Sequence, residues 1–326
     1  MQTDISHTTD DPTPEPTVAA VTAPGDESHP DDGAIPVTAA TVFAVSLLWL
    51  LHWLPFRVLT SIGYVFGTLL YWLPTSRRKV GEINLGLCLP DMPVAQRNRI
   101  VRDHFRYLAC MFLEYGYLWF SSPERIKKLV RVEGLEHLKA LEGRPVIISI
   151  PHFTGLDFAG QRITLETPVV SIYSKQKNPG LDRLVRSKRL RFGNAVILSR
   201  QDGVRPTIKY LKAGYRFFYL PDQDFGPRES IFVPFFGIPA ATIPALSRLA
   251  RIADAAVLPC YIRRERDGYT MVIEPPLTDF PTRDQEADTA RMNRVIEAQI
   301  LRQPGQYFWL HKRFKTRPEG ETRFYN

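Results

Sequence analysis

Cysteine is scarce in this chain: three in 326 residues, Cys88, Cys110 and Cys260. An odd number, far apart and set among apolar residues, excludes a disulfide framework and supplies no zinc-ligand spacing. A catalytic region facing a reducing, cytosolic compartment is expected. Also missing is any Lys or Arg in residues 1–56, where Asp4, Asp10, Asp11, Glu15, Asp26, Glu27, Asp31 and Asp32 stand alone. A net charge of +8 overall, with those eight acids unopposed, leaves +16 on residues 57–326, so the body of the protein should seek anionic partners. No internal repeat is present. The first 34 residues, rich in Pro, Thr and Asp, have too little apolar surface to repay ordering and read as a polar disordered tail. They lack the basic start and apolar run of a signal peptide.

What is present is a large apolar content, 44% hydrophobic and 11% aromatic, ample for a sizeable core. Residues 35–74 carry it first. "IPVTAATVFAVSLLWLLHWLP" has no formal charge and "FRVLTSIGYVFGTLLYWLP" only Arg57. Two arrangements fit: a membrane span centred on Val42 to Leu54 with "SRRK" soon after on the inner side, or helices lying in one leaflet or packed on the body, which Pro36, Pro55, Pro74 and the Gly63 and Gly67 spacing allow. The span is the expectation taken forward, and membrane attachment follows from either. Residues 75–326 then form one catalytic domain. Met92 to Phe120 has helical apolar spacing with charges on the other face. Strands are predicted at Val146–Ile150, Val169–Tyr173, Ala195–Leu198, Phe217–Leu220, Val257–Ile262 and Thr270–Ile273, with helices between most of them. The fold class is therefore α/β, a mixed and mainly parallel sheet flanked by helices.

Candidate chemistry begins at "PHFTGLDFAG", where His152 precedes Asp157 by five positions. On one helix, residues five apart are rotated by about 140°, so the two side chains meet only across a bend. Pro151 ends the "PVIISI" strand and "GLDFAGQRIT" opens a helix, which supplies that bend at the strand's C-terminal end, where open α/β sheets hold their ligands. A His oriented by an acid is a general-base arrangement; the bland alternative is a helix start whose Asp157 complements the dipole. In "YLPDQDFGPRESIFVPFFGIPAATIPA" an apolar strand runs into Asp222, Asp224 and Arg228, then into an apolar, proline-rich loop. No third ligand accompanies the two acids, so a metal is unsupported; turn formation with pairing to Arg228 is the plain reading. Seven cations, Lys175, Lys177, Arg183, Arg186, Lys188, Arg189 and Arg191, face only Asp182 in the next basic stretch. With no nucleic-acid-binding motif and a membrane anchor, nucleic acid is not the expected partner.

Five stretches, "INLGLCLPDM", "PHFTGLD", "SKRLRFGN", "PDQDFGPRESIFVPFFG" and "QYFWLHKRFKTRP", occur in an order that resembles the late acyltransferases of lipid A biosynthesis, the lauroyl and myristoyl transferases within the H-x4-D/E lysophospholipid acyltransferase superfamily. The resemblance spans about Val42 to Pro318. It implies a glycerol-phosphate-acyltransferase-like fold at the inner (cytoplasmic) membrane, with the catalytic domain facing the cytoplasm. It also implies transfer of an acyl chain from an acyl carrier protein thioester to a hydroxyl on a phosphorylated lipid A precursor, without a cofactor. His152 would be the base, Asp157 its orienting acid, Arg189 the oxyanion or phosphate contact, Asp222 the acid that holds Arg189, and Arg228 a phosphate contact. Lys175 and Lys177 would steer the acidic carrier protein, and Lys312, Arg313, Lys315 and Arg317 would face lipid headgroups. Many members carry Glu where this chain has Asp157. The competing readings are another H-x4-D lysolipid acyltransferase or thioester hydrolase, and a catalytically silent membrane protein that binds acidic partners.

Overall fold

The computed structural model describes residues 38–176 and 178–325, so the acidic tail and Lys177 lie outside the described residues. Helix α1 (Ala39–Leu51) is capped by Thr38, whose hydroxyl accepts from the Thr41 amide. It ends near Pro55, and α2 (Phe56–Trp72) begins directly after. The 13 residues of α1 rise only about 20 Å, short of a hydrocarbon core of about 30 Å. The span expected through Val42 to Leu54 is therefore corrected: the apolar run breaks into two helices. Among the described residues no single helix is long and apolar enough to cross a membrane, and α2 meets α3 (Ser76–Cys88) at an 89° bend.

The long helix α4 (Val94–Phe120) receives α2 along its length. A Cβ at Gly63 would sit 2.6 Å from the Cys110 sulfur, and one at Gly67 2.5 Å from the Phe105 carbonyl, so these two glycines permit the backbones to touch. The opposite faces of α1 and α2, with the turn between them, are bare apolar surface: Phe43 is 71%, Trp53 66%, Val65 64% and Trp72 65% exposed. Inside, Arg264 donates to Glu114 and to Thr60, and Tyr269 donates to Glu114, so a buried ion pair ties α2 and α4 to the sheet.

After α4 come α5 (Pro123–Leu129), β1 (Val130–Glu133), α6 (Leu135–Lys139), β2 (Val146–Ser149), α7 (Leu156–Ile163), β3 (Val169–Tyr173), α8 (Pro179–Leu190), β4 (Ala195–Ser199), α9 (Val204–Lys212) and β5 (Arg216–Tyr219). Then follow β6 (Ile231–Phe235), β7 (Ile238–Thr242), α10 (Ala245–Ala253), β8 (Ala256–Glu265), β9 (Gly268–Ile273) and α11 (Gln285–Arg302). Seven strands form one sheet in the order β1-β9-β8-β2-β5-β3-β4, parallel throughout except where β9 pairs antiparallel with β8. β2 lies inside the sheet with all four residues buried, which is why it reads as an unbroken apolar run. The expected apolar loop after Arg228 is instead the hairpin β6–β7, with Pro234 opposite Pro239. Prolines argue against strands because they cannot donate to a ladder. Here the two-residue turn at Phe236 and Gly237, both at positive φ, closes the pair.

Buried His104 contributes to an acid sensitivity of the fold. His104 on α4 is fully buried; its Nδ1 lies 3.2 Å from the Gly305 carbonyl and its Nε2 has no hydrogen-bond partner among the described residues. Burial holds this imidazole down at about 4, against an ordinary value of 6.5, with the Gly305 carbonyl opposing in part. The unfolded chain therefore takes up a proton below about 6.5 that the folded chain refuses until about 4, so stability falls as pH drops through that window, by of order 3 kcal/mol from this residue. The thermal midpoint should decline from pH 7 to pH 5, and His104→Leu should lessen that decline, leaving the share of His311, which burial also holds down at about 4. An equal slope in the variant would remove His104 as the cause.

Candidate active site

Adjacent strand ends build the centre. β2 and β5 are paired in register, Ser149 opposite Tyr219, and the Ile150 amide continues the ladder to the Tyr219 carbonyl. Three residues beyond each partner stand His152 and Asp222. The His152 Nδ1 lies 2.7 Å from Asp222 Oδ1, and the His152 backbone amide donates to Oδ2 at 2.9 Å. Asp222 is 2% exposed. Burial would raise its pKa, but the His152 charge and both hydrogen bonds outweigh burial and hold it below the usual carboxylate value. The His152 side chain is 23% exposed, and among the described residues its Nε2 has no hydrogen-bond partner, so it is open to a reactant.

The expected pairing of His152 with Asp157 is thus corrected. Asp157 opens the first turn of α7 and accepts from Arg189 of α8 at 2.6 Å and from the Tyr115 hydroxyl of α4 at 2.5 Å. Likewise Asp222 holds His152, not Arg189. The two acids have exchanged partners, because β5 lies beside β2 while α8 packs against α7. Burial, and then the Asp157 charge, push the Tyr115 phenol far above its ordinary value, so it stays a donor. Arg189 also rests over the Tyr173 ring at 5.2 Å. The turn itself is packed tightly: Phe158 stacks on Tyr269 at 4.3 Å, and a Cβ at Gly155 would lie 2.8 Å from that ring.

The C-terminal motif forms the back wall. Phe308 donates to the His152 carbonyl, Thr154 donates to the Gln306 carbonyl, and Phe153 bridges Tyr307. Asp224 does not pair with Arg228. Its carboxylate accepts from the Gly226 and Thr316 amides, and its own amide donates to His311 Nε2 at 3.0 Å. That contact makes Nε2 the acceptor, so His311 is neutral. Burial first, with Arg313 and His152 adding and Asp222 opposing, holds it down at about 4. Arg313, expected at headgroups, is 3% exposed and donates to the Ala241 carbonyl and Thr242. Lys312 and Lys315 are exposed, and Arg317 pairs with Glu321.

Of the basic stretch, Lys175 and Arg183 are exposed, Arg189 enters the site, and Arg191 caps the end of α4 by donating to the Trp119 and Ser121 carbonyls. Arg228 is exposed and in no ion pair among the described residues. Sequence reasoning missed Tyr115, His311 and Tyr307. Tyr115 sits in an aromatic run read as core, and nothing local distinguishes it. The two C-terminal residues lay inside a motif that was noticed, but their contacts are with loops some 85 and more positions away.

Comparison with known proteins agrees with the order of motifs. The family model described as bacterial lipid A biosynthesis acyltransferase matches residues 32–316. A lipid A biosynthesis lauroyltransferase of Escherichia coli (strain K12) is 36% identical over 285 residues, 86% of this chain and 92% of that protein. A palmitoleoyltransferase of the same strain is 34% identical, covering 87% and 94%, and a myristoyltransferase 33% identical, covering 82% and 83%. Among solved structures, the 1-acyl-sn-glycerophosphate (LPA) acyltransferase of Thermotoga maritima aligns with a TM-score of 0.37 at 16% identity, over 76% of this chain and 97% of that one.

Proposed function

Since the chain belongs to the bacterial lipid A biosynthesis acyltransferases and is an acyltransferase, we propose that it moves a fatty acyl chain from an acyl carrier protein thioester to a hydroxyl on an acyl chain of a phosphorylated lipid A precursor. The observation that carries this reading is the His152 imidazole, clamped at Nδ1 by buried Asp222 with Nε2 open. Nε2 takes the hydroxyl proton while the oxygen attacks the thioester carbonyl. The C–O bond forms, the C–S bond breaks, and the proton returns to the departing thiolate. Asp222 keeps the proton of the resting imidazole on Nδ1 and stabilises the cation formed in transit. Arg189, aimed by Asp157, stabilises the developing oxyanion. No cofactor enters this chemistry. Lys175, Lys177 and Arg183 steer the acidic carrier protein, by charge alone.

The test is mass spectrometry of a lipid A precursor incubated with purified protein and acyl carrier protein thioester. One added acyl mass is expected, in ester linkage. Free fatty acid released at the same rate with or without acceptor would instead make the protein a thioester hydrolase.

The same reading places the protein on the cytoplasmic face of the inner membrane, held by one leaflet. Its support is the apolar outer surface of α1 and α2, rimmed by Trp49, Trp53 and Trp72. Replacing Phe43, Trp53, Val65 and Trp72 by Ser removes exposed apolar area without touching the core. The variant should stop floating with phosphatidylethanolamine/phosphatidylglycerol vesicles while keeping its thermal midpoint; undiminished flotation would rule this surface out.

A further inference from the structure

Asp157 is not alone among the side chains of α7 in reaching α8. Gln161 stands four positions later, on the same face of the helix, and is 3% exposed. Its Nε2 donates to the Lys188 carbonyl at 2.8 Å, and its Oε1 accepts from Arg191 Nε at 3.2 Å. The partners fix the way round of the amide: a carbonyl can only accept and a guanidinium can only donate, so a flipped Gln would satisfy neither. The two contacts fall on either side of Arg189. They lie at the close of α8, where the last four carbonyls find no partner within the helix and Gln161 supplies one.

Arg191 carries the junction to a third helix. Its Nη atoms donate to the Trp119 carbonyl at 3.1 Å and the Ser121 carbonyl at 2.5 Å, at the end of α4 where the helix dipole favours a cation. Beside it the Lys188 ammonium lies over the Phe120 ring at 4.5 Å. α4, α7 and α8 therefore meet twice: through Tyr115, Asp157 and Arg189, and, one turn further along α7, through Ser121, Arg191 and Gln161. Asp157 grips only the tip of Arg189, Oδ1 to Nη2, and a long side chain held at its tip alone is placed no better than the backbone it grows from. We propose that Gln161 is a positioning residue for Arg189: by tying down the Lys188 carbonyl and the Arg191 side chain, it fixes the stretch of backbone from which Arg189 reaches Asp157 and the reacting carbonyl. This inference rests on the oxyanion role given to Arg189 above and adds the residue that sets its place. The competing account is that Gln161 does nothing more than hold three helices together.

A double-mutant cycle separates the two, with Gln161→Met made alone and together with Arg189→Ala, and thermal midpoints measured for all four proteins. Gln161→Met should lower kcat by about 10- to 100-fold, the scale of a reacting group misplaced by about 1 Å, with donor and acceptor KM within about twofold of wild type. Once Arg189 is Ala, the same change should cost less than about twofold in kcat, because the group it places is gone. Its effect on the thermal midpoint should be equal in both backgrounds, so a Gln161 that only packs helices predicts equal losses of kcat as well. Gln161→Glu keeps an acceptor for Arg191 and loses only the donor to Lys188; it should show the same pattern with a smaller loss, and it carries the test if Gln161→Met does not fold. A crystal structure of the folded variant should show Arg189 drawn away from Asp157. An undiminished kcat, a loss that persists in full without Arg189, a loss confined to KM, or an Arg189 still in place against Asp157 each overturns the proposal. If the wild type transfers no acyl chain, the reaction falls, and the crystal structure alone decides whether Gln161 places Arg189.

Discussion

Replacing His152 by Ala should lower kcat by about 10² to 10⁴ with fold and membrane association intact, because the only group lost is the base. The geometry adds a second expectation that the local motif does not. Asp222→Asn should be nearly as damaging, since an amide can donate to Nδ1, force the proton onto Nε2 and offer no charge to the cation. Its signature is kinetic: the loss falls on kcat with donor and acceptor KM values nearly unchanged, since the buried carboxylate acts through the imidazole. Asp222→Glu should recover part of the rate. His152→Ala combined with Asp222→Asn should cost little more than the worse single change, since the two act as one unit. Asp157→Asn should add its loss to that of His152→Ala, since it acts on a different group. Non-additivity of Asp157→Asn with His152→Ala, together with additivity of Asp222→Asn with it, would restore the pairing read from "PHFTGLD" and reject the one built on the β2 and β5 ends. Initial-rate transfer by each single and double variant, with circular dichroism on each, decides it.

Arg189→Ala should reduce kcat by about 10² to 10³, the scale of a lost oxyanion donor, with substrate KM values nearly unchanged. Arg189→Lys keeps a charge but loses the fork that meets Asp157 at 2.6 Å, so it should fall between wild type and Ala. Asp157→Asn leaves the guanidinium half-buried without its counter-charge and should approach Arg189→Ala in rate. Asp157→Glu should retain measurable activity, and Tyr115→Phe, which removes one of two hydrogen bonds on the carboxylate, should cost only several-fold. Single-turnover rates with saturating donor and acceptor are the measurement. A loss in Arg189→Ala that appears wholly in acceptor KM would make Arg189 a binding residue and leave the oxyanion to another donor.

Local pattern alone determined a good deal of this protein. The strand over Val146–Ser149, the bend at Pro151 and the helix carrying Asp157 follow from an apolar run, a residue that cannot donate and a helix-forming sequence, all within twenty positions. β3, β8 and β9 were legible for the same reason, as were the residues that would carry charge. Tertiary structure alone decided who meets whom. Asp222 reaches His152 because two strands 70 positions apart hydrogen-bond in register, and hydrophobic periodicity carries no information on strand order. Arg189 meets Asp157 because α8 returns over α7. Arg313 turned inward although its neighbours Lys312 and Lys315 did not, since the β6–β7 hairpin offered its guanidinium acceptors that no short window contains. The apolar N-terminal run did not make one span because Pro55 interrupts it, and the glycines of α2 gave that helix a partner in α4. Composition set the amount of apolar surface; only packing set which face of it was left bare.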